Sequence, residues 1–129
     1  MTAKELRVGN FIYYSDYRDV DNPYEIITAV GNDISKLMIS DYQTRLMFSP
    51  IPLTDQWFEK FGGDKSEIEL CSYRLYSLTR NYDFHKVESE DGDFYWYCDQ
   101  IIGDTCITYV HELQNLFFAL TKQELELIK

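Results

Sequence analysis

Hydrophobic positions recur at two different spacings along this chain. In residues 109–120 (YVHELQNLFFAL), Val110, Leu113, Leu116, Phe117 and Leu120 stand three and four apart, which sets them along one face of an α-helix. A face that wide is not stable alone in water, because helical stability in proteins comes mostly from packing. The strand-like segments before it are the natural partner. In residues 7–14 (RVGNFIYY) β-branched and aromatic residues alternate instead, with Val8, Ile12 and Tyr14 on one side and Phe11 and Tyr13 on the other. This predicts a first strand, with Gly9 as a candidate bulge. Residues 24–30 and 34–40 are two further runs joined by Gly31-Asn32-Asp33, which tolerate the positive φ of a tight hairpin. A short run at 45–49 stops at Pro50-Ile51-Pro52, whose missing N–H groups end a ladder.

Polar positions mark the breaks. Thr2 and Glu5 have capping-box spacing before Leu6, and residues 15–23, with Asp16, Asp19, Asp21 and Asn22, read as an exposed loop anchored by Tyr17 and Val20. Thr54 is expected to cap a short helix through its hydroxyl, with Leu53 and Phe58 as a staple; Trp57, Phe58 and Phe61 form its apolar face and Gly62-Gly63 its end. Residues 67–78 are a long β-like run whose alternation slips between Leu70 and Tyr73, as at a bulge. Residues 82–89 and 93–98 flank Asp91-Gly92, the strongest hairpin signal. A two-residue loop there pairs Val87 with Trp96 and His85 with Cys98 on one side, and Lys86 with Tyr97 and Glu88 with Tyr95 on the other; a longer loop changes these pairs. Residues 106–108 add an edge, and Thr121 with Glu124, stapled by Leu120 and Leu125, predict a short final helix or turn.

The expected fold is therefore α+β and a single domain. An antiparallel, SH3-like barrel-type sheet occupies residues 1–49 and a short linking helix 50–63. A second antiparallel sheet packed by the main C-terminal helix fills 64–129. At 129 residues, 45% hydrophobic and 16% aromatic, the chain can bury a core without disulfides and is not disordered despite a net charge of -10. Cys71, Cys98 and Cys106 form no CxxC pair and are expected to be reduced core residues of a cytoplasmic protein. The N-terminus lacks a signal-peptide profile, and no apolar run approaches the roughly 20 residues that span a bilayer, so no membrane association is expected. With 22 acidic against 12 basic side chains, a broad phosphate-binding surface is disfavoured.

Three segments carry a family resemblance: LRVGNFI at residues 6–12, PIPLTDQWFEKFG at 50–62 and VHELQNLFFALT at 110–121. They resemble a family of small proteins encoded in Bacteroidota genomes, often within prophages and other mobile elements. The family brings no known activity or catalytic residue. Its final motif usually continues with Gly, where this chain has Lys122. The resemblance implies a phage or mobile-element accessory protein; such small acidic proteins frequently bind host machinery, including defence systems, an analogy of gene context.

Candidate chemistry is sparse. His111-Glu112-x-x-Asn115 differs from the zinc motif HExxH by an amide in place of the second histidine, so His111, Gln114 and Asn115 are read as a polar stripe touching the chain's own sheet. His85 opposite Cys98 would supply two metal ligands or a nucleophile pair without an orienting third group. No Walker, GxGxxG or GxSxG motif occurs, and no cofactor, metal or catalytic residue is expected. The loop acids Glu88, Glu90, Asp91 and Asp93 lack EF-hand spacing and are read as a solvated tip or, with Asp16, Asp19 and Asp21, as a phosphate-like array. The aromatic clusters, Phe11 with Tyr13 and Tyr14, and Tyr95 with Trp96 and Tyr97, must send alternate members outward. The expected function is a non-enzymatic protein-binding module, an anti-CRISPR-like inhibitor of host defence or an inhibitor of a nucleic-acid enzyme. Its partner, a host or phage protein, would meet Tyr95, Tyr97, Glu88, Glu90, Asp91, Asp93 and Tyr13. The alternative is a nucleic-acid-binding accessory domain using Arg7, Arg18, Lys36 and Arg45. The sequence leaves the oligomeric state open.

Overall fold

The computed structural model describes residues 6–14, 25–31, 48–66, 72–78, 80–101 and 106–128. Packing divides the chain into two compact units: Met1–Pro52 with Tyr109–Asn115, and Leu53–Thr108 with Leu116–Lys129. The fold class is α+β, with one three-stranded and one four-stranded antiparallel sheet. The N-terminal capping turn, the acidic loop 15–23, Asn32 and Asp33 of the expected hairpin turn, the strand at 34–40, residues 45–47 and the bulge region 67–71 lie outside the described residues; Gly31 is described, and it is helical without the positive φ expected of a tight hairpin there.

In the first unit, β1 (Phe11–Tyr14) lies between β2 (Glu25–Thr28) and β3 (Phe48–Ser49). Ile12, Leu6, Ala29 and Phe48 form its core, with Tyr14 and Ile27 packed against them. The strand begins at Phe11 rather than Arg7 because Arg7 to Asn10 closes a turn: Asn10 N–H donates to Arg7 O at 3.0 Å, and Gly9 takes φ 102°. Val8 is consequently exposed. Gly9 N–H donates to Ala29 O while Ala29 N–H donates to Asn10 O, so two residues face one, and Gly9 does open a bulge.

The main helix, α2, is Val110–Thr121. Val110 and Leu113 are buried as the periodicity requires, and so are His111 and Gln114. Gln114 satisfies both ends of its amide within this unit: Oε1 accepts Phe11 N–H at 2.7 Å and Nε2 donates to Gly9 O at 3.1 Å. Asn10 Nδ2 donates to Asn115 Oδ1 at 2.8 Å, and Asn10 Oδ1 accepts Arg7 N–H at 2.7 Å. Gln114 and Asn115 of the polar stripe thus bond the chain's own turn and sheet. Glu112 reaches back to cap Tyr109 N–H at 3.0 Å, and Val110 N–H donates to Ile51 O.

In the second unit, α1 (Asp55–Lys60) packs beside a sheet of order β4-β5-β6-β7. The strands are Asp64–Lys65, Ser72–Tyr76, Asn81–Glu88 and Phe94–Cys98. Thr54 occupies the N-cap of α1, but its hydroxyl makes no capping bond; the acidic Asp55 in the first turn supplies the favourable charge there. Gly62 N–H to Glu59 O and Gly63 N–H to Phe58 O close the helix in a Schellman arrangement, with Gly62 at φ 79°. Phe58 touches three rings, stacking on Tyr73 at 5.2 Å and meeting Trp96 at 4.4 Å and Phe84 at 5.5 Å between centroids. Trp96 Nε1–H donates to Leu53 O, and Ile107 pairs with Trp96 as the added edge.

The end of α2 differs from expectation. Thr121 Oγ1 donates back to Phe117 O at 2.7 Å and accepts Gln123 N–H at 3.0 Å, so it closes this helix instead of opening another. Residues 123–128 form no helix; Leu125 is buried, Leu120 exposed, and Ile128 N–H donates to Lys60 O. Lys122 stands at φ 60°, with its N–H on Phe118 O. That left-handed conformation costs a non-glycine residue roughly 1–2 kcal/mol, partly offset by the entropy glycine loses on folding. Lys122→Gly is expected to raise unfolding free energy by about 0.5–1 kcal/mol, read from the urea midpoint at unchanged slope. Gln114→Ala, which strands the Phe11 N–H and Gly9 carbonyl, is expected to lower it by about 1–3 kcal/mol in the same titration.

Candidate functional site

The face of β5 to β7 opposite the aromatic core carries a cluster of polar and charged side chains. Tyr73, Leu75, Tyr82, Phe84, Trp96 and Cys98 point inward and are buried. Alternation therefore sends Ser72, Arg74, Tyr76, Asp83, His85, Tyr95 and Tyr97 to the outer face. Strand register places Ser72 opposite His85, Arg74 opposite Asp83, and His85 in turn opposite Tyr97. A cavity of about 400 Å³ opens on this face, lined by residues including Asp64, Ser72, Arg74, Asp83, His85 and Asp99.

Two charge networks border it. Arg74 Nε–H donates to Asp83 Oδ1 at 2.7 Å, and Gln100 Nε2–H donates to Asp83 Oδ2 at 2.8 Å while its Oε1 accepts Asp83 N–H. The guanidinium hydrogen bond holds the Asp83 carboxyl below its ordinary value of 3.8, and Asp83 raises Arg74 in return. Tyr76 O–H donates to Asp64 Oδ2, which pushes the phenol up. In the second network the Ser72 hydroxyl lies 2.7 Å from His85 Nδ1, and Asp99 Oδ2 lies 3.2 Å from His85 Nε2, an ion-pair distance. The His85 ring packs against Tyr97 with centroids 5.0 Å apart.

The hairpin between β6 and β7 uses a three-residue loop, Glu90-Asp91-Gly92, and not the two-residue one. Ser89 N–H donates to Asp93 O, and Gly92 takes the left-handed φ of 87° that such a loop needs. The register therefore shifts by one: His85 faces Tyr97, Lys86 faces Trp96, Val87 faces Tyr95, and Glu88 faces Phe94. Cys98 sits opposite Phe84 on the buried side, so the His85–Cys98 pair does not form. Burial pushes the Cys98 thiol up, away from nucleophile behaviour. Cys106 is exposed rather than in the core, and Cys71 lies outside the described residues.

Of the expected contact residues, Tyr95 and Tyr97 share the outer face, Tyr97 exposed and Tyr95 half-buried. Glu90, Asp91 and Asp93 are exposed at the tip; Glu88 is exposed too, but on the side of Phe94. Tyr13 lies half-buried in β1, in the other unit. Of the basic residues, Arg7 Nη2 bonds Gln114 O, while Arg18, Lys36 and Arg45 lie outside the described residues. Among the described residues, no helix is long and apolar enough to cross a membrane. Sequence reasoning missed Ser72, Arg74, Asp83 and Asp99, because their meeting depends on the register of β5 on β6. The short gap between the 67–78 and 82–89 runs was the available signal for that hairpin. No protein family, curated protein or solved structure matches this chain.

Because Asp83 is held below 3.8, its pairing stabilises the fold above that pH and the contribution is lost as pH falls through the depressed value. Arg74→Met is expected to move the Asp83 carboxyl midpoint upward in a carbon-detected NMR titration. The stability gap between the two proteins should then close below pH 3.8.

Proposed function

We propose that this chain is a cytoplasmic protein-binding module of phage or mobile-element origin, whose β6–β7 hairpin engages a basic surface on a host or phage protein. The observation that carries this reading is the hairpin itself: exposed Tyr97 and half-buried Tyr95 beside a tip bearing Glu90, Asp91 and Asp93. Tyrosines held on a rigid strand offer contact area with little entropy left to lose, the usual anchors of interfaces. Carboxylates at the tip steer a basic partner into place and repel nucleic acid. An inhibitor of a host defence system or of a nucleic-acid enzyme, whose substrate groove is basic, is the partner class this charge fits.

The tagged chain is expected to capture a stoichiometric protein from host lysate that survives nuclease. Reversing Glu88, Glu90, Asp91 and Asp93 to lysine should slow its association by about tenfold or more at low salt, and Tyr97→Ala should speed dissociation, both read by surface plasmon resonance. Unchanged kinetics in both variants would remove the hairpin from the interface. Capture that vanishes with nuclease would favour a nucleic-acid-binding accessory role instead.

A further inference from the structure

The cavity on the outer face of β4 to β6 holds an arrangement that partner binding does not use. Ser72 and His85 are directly opposed residues on adjacent strands, so the sheet itself fixes their separation, and the hydroxyl lies 2.7 Å from Nδ1. On the far side of the ring, Asp99 Oδ2 lies 3.2 Å from Nε2. A carboxylate beside Nε2 favours the tautomer with its proton there, which leaves the Nδ1 lone pair to accept the Ser72 proton. The Tyr97 ring against His85 restrains the imidazole plane. Ser72, His85 and Asp99 all line the cavity of about 400 Å³, a size suited to a small molecule.

We propose that this is an acyl-transfer site for small polar esters, with Ser72 as nucleophile, His85 as general base and Asp99 as a positioning residue. Ser72 Oγ forms a bond to the acyl carbon as the bond from that carbon to the alcohol oxygen breaks. The Ser72 proton passes to His85 Nδ1 and from there to the departing alcohol. Water then attacks the acyl-serine carbon, gives a proton to the same nitrogen, and releases the carboxylic acid as Ser72 recovers its hydrogen. Holding the pair on two paired strands supplies the rigidity that such geometry needs. The chemistry uses none of the tip acids; Tyr97, against the His85 ring, is the one residue it shares with the proposed interface.

The test uses a fluorophosphonate probe on the full chain, followed by peptide mapping, with p-nitrophenyl acetate hydrolysis as the second readout. The expected result is a single adduct on Ser72 of the native protein, no adduct in Ser72→Ala, and a labelling rate lowered roughly 100-fold or more in His85→Gln. Asp99→Asn is expected to slow labelling of Ser72 by about tenfold or more while Asp99→Glu restores most of the rate, the pattern of a carboxylate that acts by positioning the His85 ring. Mapping the adduct on unmutated protein keeps the result independent of how well Ser72→Ala folds. Native protein that stays unlabelled, or that carries the adduct on another residue, would overturn the proposal.

Discussion

Phe58 decides which side of the four-stranded sheet meets water. Its ring is ringed by Tyr73, Phe84 and Trp96, three residues from three successive strands, with centroids between 4.4 and 5.5 Å away. Because successive side chains on a strand point to opposite faces, committing these three aromatics to one side commits every second residue between them to the other. A one-residue slip would bury Asp83 and His85 and expose Trp96, so the polar face is a consequence of the aromatic one. The Schellman turn at Gly62 supports this from behind: a Cβ on Gly63 would stand 2.9 Å from Phe58 O, so the chain leaves α1 by a path that only glycine permits.

The first unit is organised by a polar constraint. Gln114 is buried on a helix face that periodicity would assign to apolar side chains, and a buried amide costs free energy unless its hydrogen bonds are made. The turn from Arg7 to Asn10 provides them, presenting the Gly9 carbonyl and the Phe11 N–H to one side chain. The positive φ of Gly9 lets the backbone turn there, and Asn10 extends the network to Asn115. An alanine at Gly9 would have to hold φ 102°, a conformation that a Cβ disfavours.

Much of this was legible from residue order. The main helix, the short aromatic helix with its glycine end, the bulge at Gly9 and the hairpin at Asp91-Gly92 all follow from periodicity and turn chemistry. What escaped is register. Asp-Gly is compatible with two loop lengths, and one extra residue moved Glu88 from the side of Tyr95 to that of Phe94 and separated His85 from Cys98. The same limit hid the Ser72–His85 contact, which exists only when β5 pairs with β6 in one alignment. Capping was overread in two places for a related reason. Thr54 and Thr121 have the right spacing, but a hydroxyl bonds whichever backbone group the chain path brings near, and for Thr121 that is the Phe117 carbonyl behind it.

The three segments that carry the family resemblance prove to be architecture. Within the first unit, Gly9, Asn10 and Phe11 of LRVGNFI bond Gln114 and Asn115 of VHELQNLFFALT, and Ile51 O accepts Val110 N–H. Within the second, PIPLTDQWFEKFG supplies the Leu53 carbonyl that holds the Trp96 indole, the Phe58 hub and the Gly62 turn. None of Ser72, Arg74, Asp83, His85, Asp99 or the hairpin acids belongs to these segments. In this chain the motif segments therefore build the scaffold, and the polar outer face of β5 to β7 is built by other residues. Function in such a scaffold follows the site, not the motif, which explains why the most recognisable parts of this sequence were the least informative about its chemistry.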